Sequence, residues 1–159
     1  MKIRIATISD LENIIAIYDT AREFMRQNQN PTQWAGGYPQ KEVITADIDQ
    51  KICHIVEKNG EAVGVFAFFI GEDETYQSID GGWLSDQPYG VIHRVASNGK
   101  CRGVFDAAVK YCLERIQNLR IDTHKDNKVM QNAVLRNGFK ECGIIITHDG
   151  TPRIAYQRV

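Results

Sequence analysis

The run Val91-Ile92-His93-Arg94-Val95-Ala96-Ser97-Asn98-Gly99-Lys100-Cys101-Arg102-Gly103-Val104-Phe105 holds the residues best suited to chemistry. Its pattern predicts a strand, a basic turn with two glycines, and the first turn of a helix. Glycines without a Cβ let the backbone approach a ligand, and a helix start offers free N–H groups and a positive dipole end. Lys100 and Arg102 add charge. Together these could hold a phosphate or pyrophosphate; a surface turn with solvated basic residues is the plainer alternative. The run fits neither G-x-x-x-x-G-K-[S/T] nor G-x-G-x-x-G, so the usual nucleotide and dinucleotide cradles are not expected.

The elements around this turn are readable from periodicity. Lys2–Thr7 alternates as a strand, and Ser9-Asp10-Leu11-Glu12 has the form of a capping box. Leu11, Ile14, Ile15, Tyr18, Ala21, Phe24 and Met25 then share one helical face. Pro31–Gln40 reads as a loop carrying Trp34 and Tyr38, and Lys41–Gln50 as a short helix. Ile52–Glu57 and Ala62–Ile70 form a predicted hairpin around Asn59-Gly60. Glu72–Tyr89 reads as a polar connection, and Val91–Ala96 as the strand entering the turn. Val104 to Ile116 gives a helical stripe, Leu119–Thr123 a strand, and Asn127–Asn137 a helix stopped by Asn137-Gly138. Phe139–Thr147 and Pro152–Gln157 close the chain as strands, the second an edge strand able to pair between subunits in a homodimer. The order predicts an α/β (α+β) chain: a mostly antiparallel sheet with helices on both faces, in a single domain over 1–159.

Bulk properties narrow the partners. The formal net charge of -1 gives no global attraction to nucleic acid or to a membrane surface. The start MKIRIATISD has no apolar signal segment, and Ala62–Ile70 is too short to span a bilayer. Cys53, Cys101, Cys112 and Cys142 form no C-x-x-C pair and have no His at zinc spacing, so no metal site is expected. They read as reduced thiols of a cytoplasmic protein.

The turn resembles the acetyl-CoA-binding motif of the GNAT (Gcn5-related N-acetyltransferase) family, where a strand leads into [Q/R]-x-x-G-x-[G/A]. Lys100-Cys101-Arg102-Gly103-Val104-Phe105 falls in that register. Gly103 matches the central glycine, and Lys100 keeps the charge. Phe105 departs from the small residue of the family, and in that register its bulk would crowd the cofactor or re-aim the turn. A second stretch is similar to the family's later strand and helix, with Asn127, Met130, Gly138 and Phe139 in frame. The order of elements agrees over nearly the whole chain, and the runs Ile92-His93-Arg94 and Thr123–Asn132 look like a small bacterial branch.

The resemblance implies a six- to seven-stranded sheet with a splayed strand pair forming a cofactor cleft. Acetyl-CoA or coenzyme A would lie there, its pyrophosphate on the backbone amides of Lys100, Cys101, Arg102, Gly103, Val104, Phe105 and Asp106. Val95 and Ala96 would pair with the pantetheine arm. Asn127 would stand beside that arm, act as a plain N-cap, or do both. The implied reaction is direct attack of an amine on the thioester. A tyrosine often protonates the leaving thiolate in this family; here the position is Val134, which has no proton to give.

Three residues compete for the base. His93 has a suitable ordinary pKa and lies on the cleft-forming strand, although a histidine satisfied inside the sheet is the other outcome. Asp80 and Asp86 could take an amine proton through water, attract a cationic substrate, or simply be solvated. His124 is a phosphate neighbour at most. A nucleophilic Cys101 is not needed for direct transfer. Phe24, Trp34, Tyr38, Trp83 and Tyr89 are the expected acceptor pocket, with Phe24 open to a core role. Glu72-Asp73-Glu74 with Asp80 and Asp86 suggests a primary amine, on a small molecule or a peptide amino terminus. The rival expectation is a GNAT-fold protein that binds coenzyme A in a regulatory role with little catalysis. A third has the cleft holding something else, with Phe105 filling the cofactor groove.

Overall fold

Strand-forming runs and amphipathic helices alternate along the chain. The computed structural model, which describes Met1–Val159, assembles them into one eight-stranded sheet. The elements are β1 (Lys2–Ile5), α1 (Leu11–Gln27), α2 (Lys41–Asp49), β2 (Cys53–Lys58), β3 (Glu61–Ile70) and β4 (Asp80–Gly81). They continue with β5 (Gly90–Ser97), α3 (Val104–Leu113), β6 (Leu119–Thr123), α4 (Lys128–Arg136), β7 (Lys140–Ile146) and β8 (Pro152–Arg158). The strand order is β1-β2-β3-β5-β6-β8-β7-β4. Every neighbouring pair is antiparallel except β5 with β6.

The helices cover both faces because their apolar stripes demand it. Ile14, Ile17, Tyr18 and Ala21 of α1, with Ile44 and Ile48 of α2, pack on Cys53, Ile55, Val65 and Ala96 of the sheet. On the other face Val104, Phe105, Ala108, Val109 and Cys112 of α3, with Val134 of α4, meet Val56, Phe66, Phe68 and Ile92. The β2–β3 turn has Asn59 and Gly60 at φ 52° and 79°, the backbone its Asn-Gly sequence favours.

Three expectations change. The cap before α1 uses Thr7 and Asp10 rather than Ser9 and Glu12: the Thr7 amide donates to Asp10 Oδ2 at 2.8 Å, and the Arg4 guanidinium forks onto the same carboxylate. The Ser9 residue is itself inside a short 3-10 turn, Ile8–Asp10. The strand β8 is interior, between β6 and β7, so Pro152–Gln157 offers no free edge and a homodimer loses that basis. The Glu72–Tyr89 connection is more than polar linker: it carries β4 and buries Tyr76, which packs with Tyr89, Val91, Ile145 and Ala155.

Candidate active site

A bulge in β5 opens the sheet. Ala67 pairs with His93 and Val65 with Ala96, so Arg94 and Val95 together oppose the single residue Phe66. Arg94 sits at φ 50°, a left-handed backbone that costs a non-glycine residue roughly 1–2 kcal/mol. Its surroundings hold it there. The Tyr18 hydroxyl donates to the Arg94 carbonyl at 2.8 Å, and the guanidinium forks onto Asp47 at 2.7 and 2.8 Å. Next to this distortion, β5 and β6 pair only at Gly90–Leu119 and Val91–Arg120. Past those two pairs they diverge, and a cleft of about 630 Å³ opens whose walls include His93, Arg94 and Val95 from β5 and Ile121 and Asp122 from β6.

Inside that cleft His93 lies between two carboxylates. Its Nε2 is 2.6 Å from Asp73 Oδ2, and its Nδ1 is 3.7 Å from Asp122 Oδ2. The other oxygen of Asp73 accepts from the Thr75 amide at 2.9 Å and the Thr75 hydroxyl at 2.6 Å. Burial opposes ionisation of Asp73, but the hydrogen bonds from His93 and Thr75 outweigh it and hold the carboxyl well below the ordinary carboxylate range. The Tyr76 hydroxyl donates to Asp122 Oδ2 at 2.6 Å. Burial first, and the adjacent Asp122 charge second, keep that phenol protonated by pushing its pKa far up.

The loop between α1 and α2 crosses the mouth of the cleft. Gln33 Oε1 accepts from Asn127 Nδ2 at 3.0 Å, and Thr32 Oγ1 lies 3.2 Å from His124 Nε2. Asn127 is also the N-cap of α4, its Oδ1 accepting from the Met130 amide at 3.0 Å, so one side chain caps a helix and faces the cleft.

The basic turn lies past the C-terminal end of β5, outside the residues that line this cleft. Ser97 Oγ and Asn98 Oδ1 already occupy the amides of Gly99 and Lys100. The six amides from Cys101 to Asp106 donate to no protein acceptor. Gly103, at φ 87°, is the N-cap residue of α3, a left-handed backbone that glycine adopts without strain. Arg102 has no ion-pair partner, whereas Lys100 reaches Glu61 at 3.5 Å on the surface. An anion would find unsatisfied donors here, which is the fit a pyrophosphate requires.

The predicted site residues divide. His93, Val95, Asn127, Trp34 and Tyr38 line the cleft; Ala96 stands just past the bulge, buried under α1. Phe105 points into the core at 8% exposure instead of crowding the turn, because α3 rotates its apolar face onto the sheet. Val134 is fully buried in the same core. Phe24 is half exposed and lines no part of the cleft, being just off the buried stripe of α1. Trp83 and Tyr89 instead sandwich the Arg120 guanidinium at 4.0 and 3.9 Å. Asp80 is an exposed residue of the edge strand β4, and Asp86 is exposed in the following loop; neither reaches His93. Asp122 and the Arg94–Asp47 pair are not singled out by the sequence, and Asp73 is named there only within the acidic run Glu72-Asp73-Glu74, as a lure for an amine and not as a partner of His93. An acid inside the strand Leu119-Arg120-Ile121-Asp122-Thr123 is the one signal that could have pointed to Asp122.

No family model matches the chain, and no curated protein matches it. Solved structures do. An acetyltransferase of the GNAT family from Streptococcus agalactiae has 28% identity and a TM-score of 0.91, over 99% of this chain and 94% of its own. A ribosomal-protein-alanine N-acetyltransferase from Brucella melitensis has 18% identity and a TM-score of 0.63, over 100% and 99%. AAC(6')-Ib, solved with ribostamycin and coenzyme A, has 19% identity and a TM-score of 0.68, over 99% and 92%. Sheet order, splayed β5–β6 pair and these likenesses agree: the chain has the fold of the GNAT acetyltransferases and is similar to one of them over nearly its whole length.

Proposed function

We propose that this chain is a single-domain, acetyl-CoA-dependent N-acetyltransferase acting on a primary amine, with His93 as the base. The observation that carries the reading is the wedge between β5 and β6, which lines one cleft with a histidine and leads into a turn of six unpartnered amides. The likeness to a GNAT acetyltransferase over nearly the whole chain supports it. AAC(6')-Ib, with an aminoglycoside and coenzyme A bound on the same fold, supports a small-molecule acceptor.

The amides of 101–106 and Arg102 would hold the pyrophosphate, and the bulged strand at Val95 and Ala96 would face the pantetheine arm. Acetyl-CoA supplies an activated acyl carbon: a C–N bond forms to the amine, the C–S bond breaks, one ammonium proton leaves to solvent through the base, and a second ends on the thiol. His93 takes the first proton. Trp34 and Tyr38 wall the acceptor side, and the floor holds both reactants in reach of each other, the largest service such a site provides. With all four thiols free, we place this activity in the reducing cytoplasm.

Acetyl-CoA at millimolar concentration should raise the melting temperature, and Gly103→Asp should abolish the rise. Release of free thiol with a panel of primary amines then reads transfer. Absence of any shift in the native protein overturns the reading. A shift without thiol release favours a coenzyme A-binding regulatory protein instead, the alternative motivated by the burial of Val134 where a hydroxyl is usual.

A further inference from the structure

Arg120 of β6 is a cation buried to 4% exposure without a counter-charge. The partners of its guanidinium are the ring of Trp83 at 4.0 Å, the ring of Tyr89 at 3.9 Å and the Ser85 carbonyl, which accepts from Nη2 at 2.8 Å. Its Nε has no hydrogen-bond partner. Burying a charge on such terms is costly, and an apolar side chain would fill the space without that cost. The loop backbone does not need it either, because Gln157 already holds the Leu84 and Ser85 amides at 2.6 and 3.2 Å and the Ser85 carbonyl at 3.1 Å. What the charge holds is the two rings, and both lead to His93. The Tyr89 hydroxyl accepts from the Asp73 amide at 3.0 Å, and Asp73 Oδ2 is the partner of His93 Nε2 at 2.6 Å. Trp83 Nε1 donates to the Tyr76 carbonyl at 2.9 Å, and the Tyr76 hydroxyl donates to Asp122 Oδ2, the atom 3.7 Å from His93 Nδ1. Asp73, Tyr76 and Asp122 are the titratable groups that face His93, and Phe69 of β3 completes its surroundings.

We propose that Arg120 is a positioning residue for His93: stacked between Trp83 and Tyr89, it fixes both flanking carboxylates against the imidazole without touching substrate. Its consequence for the reaction rests on His93 being the base, as the proposed function has it. The placement itself does not depend on the charge of the ring. Against an ionised Asp73, Nε2 carries a proton whether the ring is neutral or charged. Two substitutions separate the parts. Arg120→Met keeps an unbranched chain between the rings and removes the charge and the planar face. Tyr89→Phe keeps the stack and removes only the oxygen that receives the Asp73 amide.

The test follows the ring signals of the four histidines by NMR in the full chain, titrated without acetyl-CoA. In each variant the His93 midpoint should fall by about half a pH unit relative to the native chain, because a carboxylate beside the ring favours its charged form and a displaced one favours it less. His54, which stacks on Phe66, and His124, which meets Thr32, should titrate as in the native chain. With the most active amine of the panel, Arg120→Met should lower kcat about tenfold and leave the KM for acetyl-CoA unchanged. An unmoved His93 midpoint in either variant, equal movement of His54 and His124, or an unchanged kcat in a chain that transfers acetyl overturns the proposal. If Arg120→Met does not fold, Tyr89→Phe still decides through the titration. A shifted His93 midpoint, in a protein whose native form releases no thiol with any amine, would sink the transferase reading and leave the positioning role standing.

Discussion

Arg94 Nε donates to Asp47 Oδ2 at 2.7 Å while its Nη2 donates to Oδ1 at 2.8 Å, a fork that ties the bulge of β5 to α2. Both side chains are largely buried, at 16% and 9% exposure. The Asp47 carboxylate and the neighbouring Tyr38 hydroxyl more than offset the burial that disfavours the Arg94 charge. Removing one partner leaves the other charge uncompensated, so Asp47→Ala should cost about 3–5 kcal/mol in urea unfolding. Replacing both partners with apolar residues should recover part of that loss, but acetyl-CoA affinity should not return, because the bulge would no longer be held.

Gly64 is where β3 lets α3 come close. A Cβ there would stand 2.4 Å from Val104 Cγ1 and 3.1 Å from the Ala96 carbonyl. Val104 is the first residue of α3, directly after the basic turn. Gly64→Ala should therefore lower stability by roughly 1–3 kcal/mol, as overpacking does, with an unchanged denaturant slope. The same displacement should weaken acetyl-CoA binding, read by isothermal titration; unchanged affinity would uncouple the turn from this packing.

The thiols give a labelling pattern. Burial pushes Cys53 and Cys112 up to about 12, so neither is a nucleophile at neutral pH. Ellman's reagent should modify only Cys101 and Cys142 in the folded protein, and Cys142 slowly, since burial raises it as well. Acetyl-CoA should slow the labelling of Cys101, which lies in the turn, and leave Cys142 unchanged.

Acid stability should depend on Asp10. The Arg4 hydrogen bonds lower its carboxyl from 3.8 to about 2 despite some burial. A carboxyl depressed on folding contributes stability that is present above its unfolded value and lost as pH falls through its folded one. The loss for Asp10 thus runs from about 3.8 down to about 2. Asp10→Asn should be less stable at neutral pH and should flatten the stability curve across that window, as followed by thermal melts.

How far the sequence reaches is set by range. Leu119–Thr123 and the Asn59-Gly60 hairpin are legible because periodicity and turn chemistry are local. The turn after β5 is legible for the same reason. The place of β8 between β6 and β7 is not, since strand order depends on partners far along the chain. Neither is the bulge at Arg94: an arginine within an alternating strand gives no sign of a left-handed backbone whose strain is held by Asp47 and Tyr18. Phe105 misleads because register alone does not say which way a helix turns its faces. The partners of His93 stay hidden for a related reason. Asp73 stands in an acidic triplet that looks solvated until the connection folds over Tyr76.

The two-rung junction between β5 and β6 makes the sheet a pair of panels, β1-β2-β3-β5 and β6-β8-β7-β4, sewn along a short seam. The open part of that seam is where the cofactor arm would lie. A ligand seated there would act as the missing stitching between strands that pair at only two positions. Its binding energy would then be partly cohesion between the panels, added to the core of α3 and α4 that already spans them.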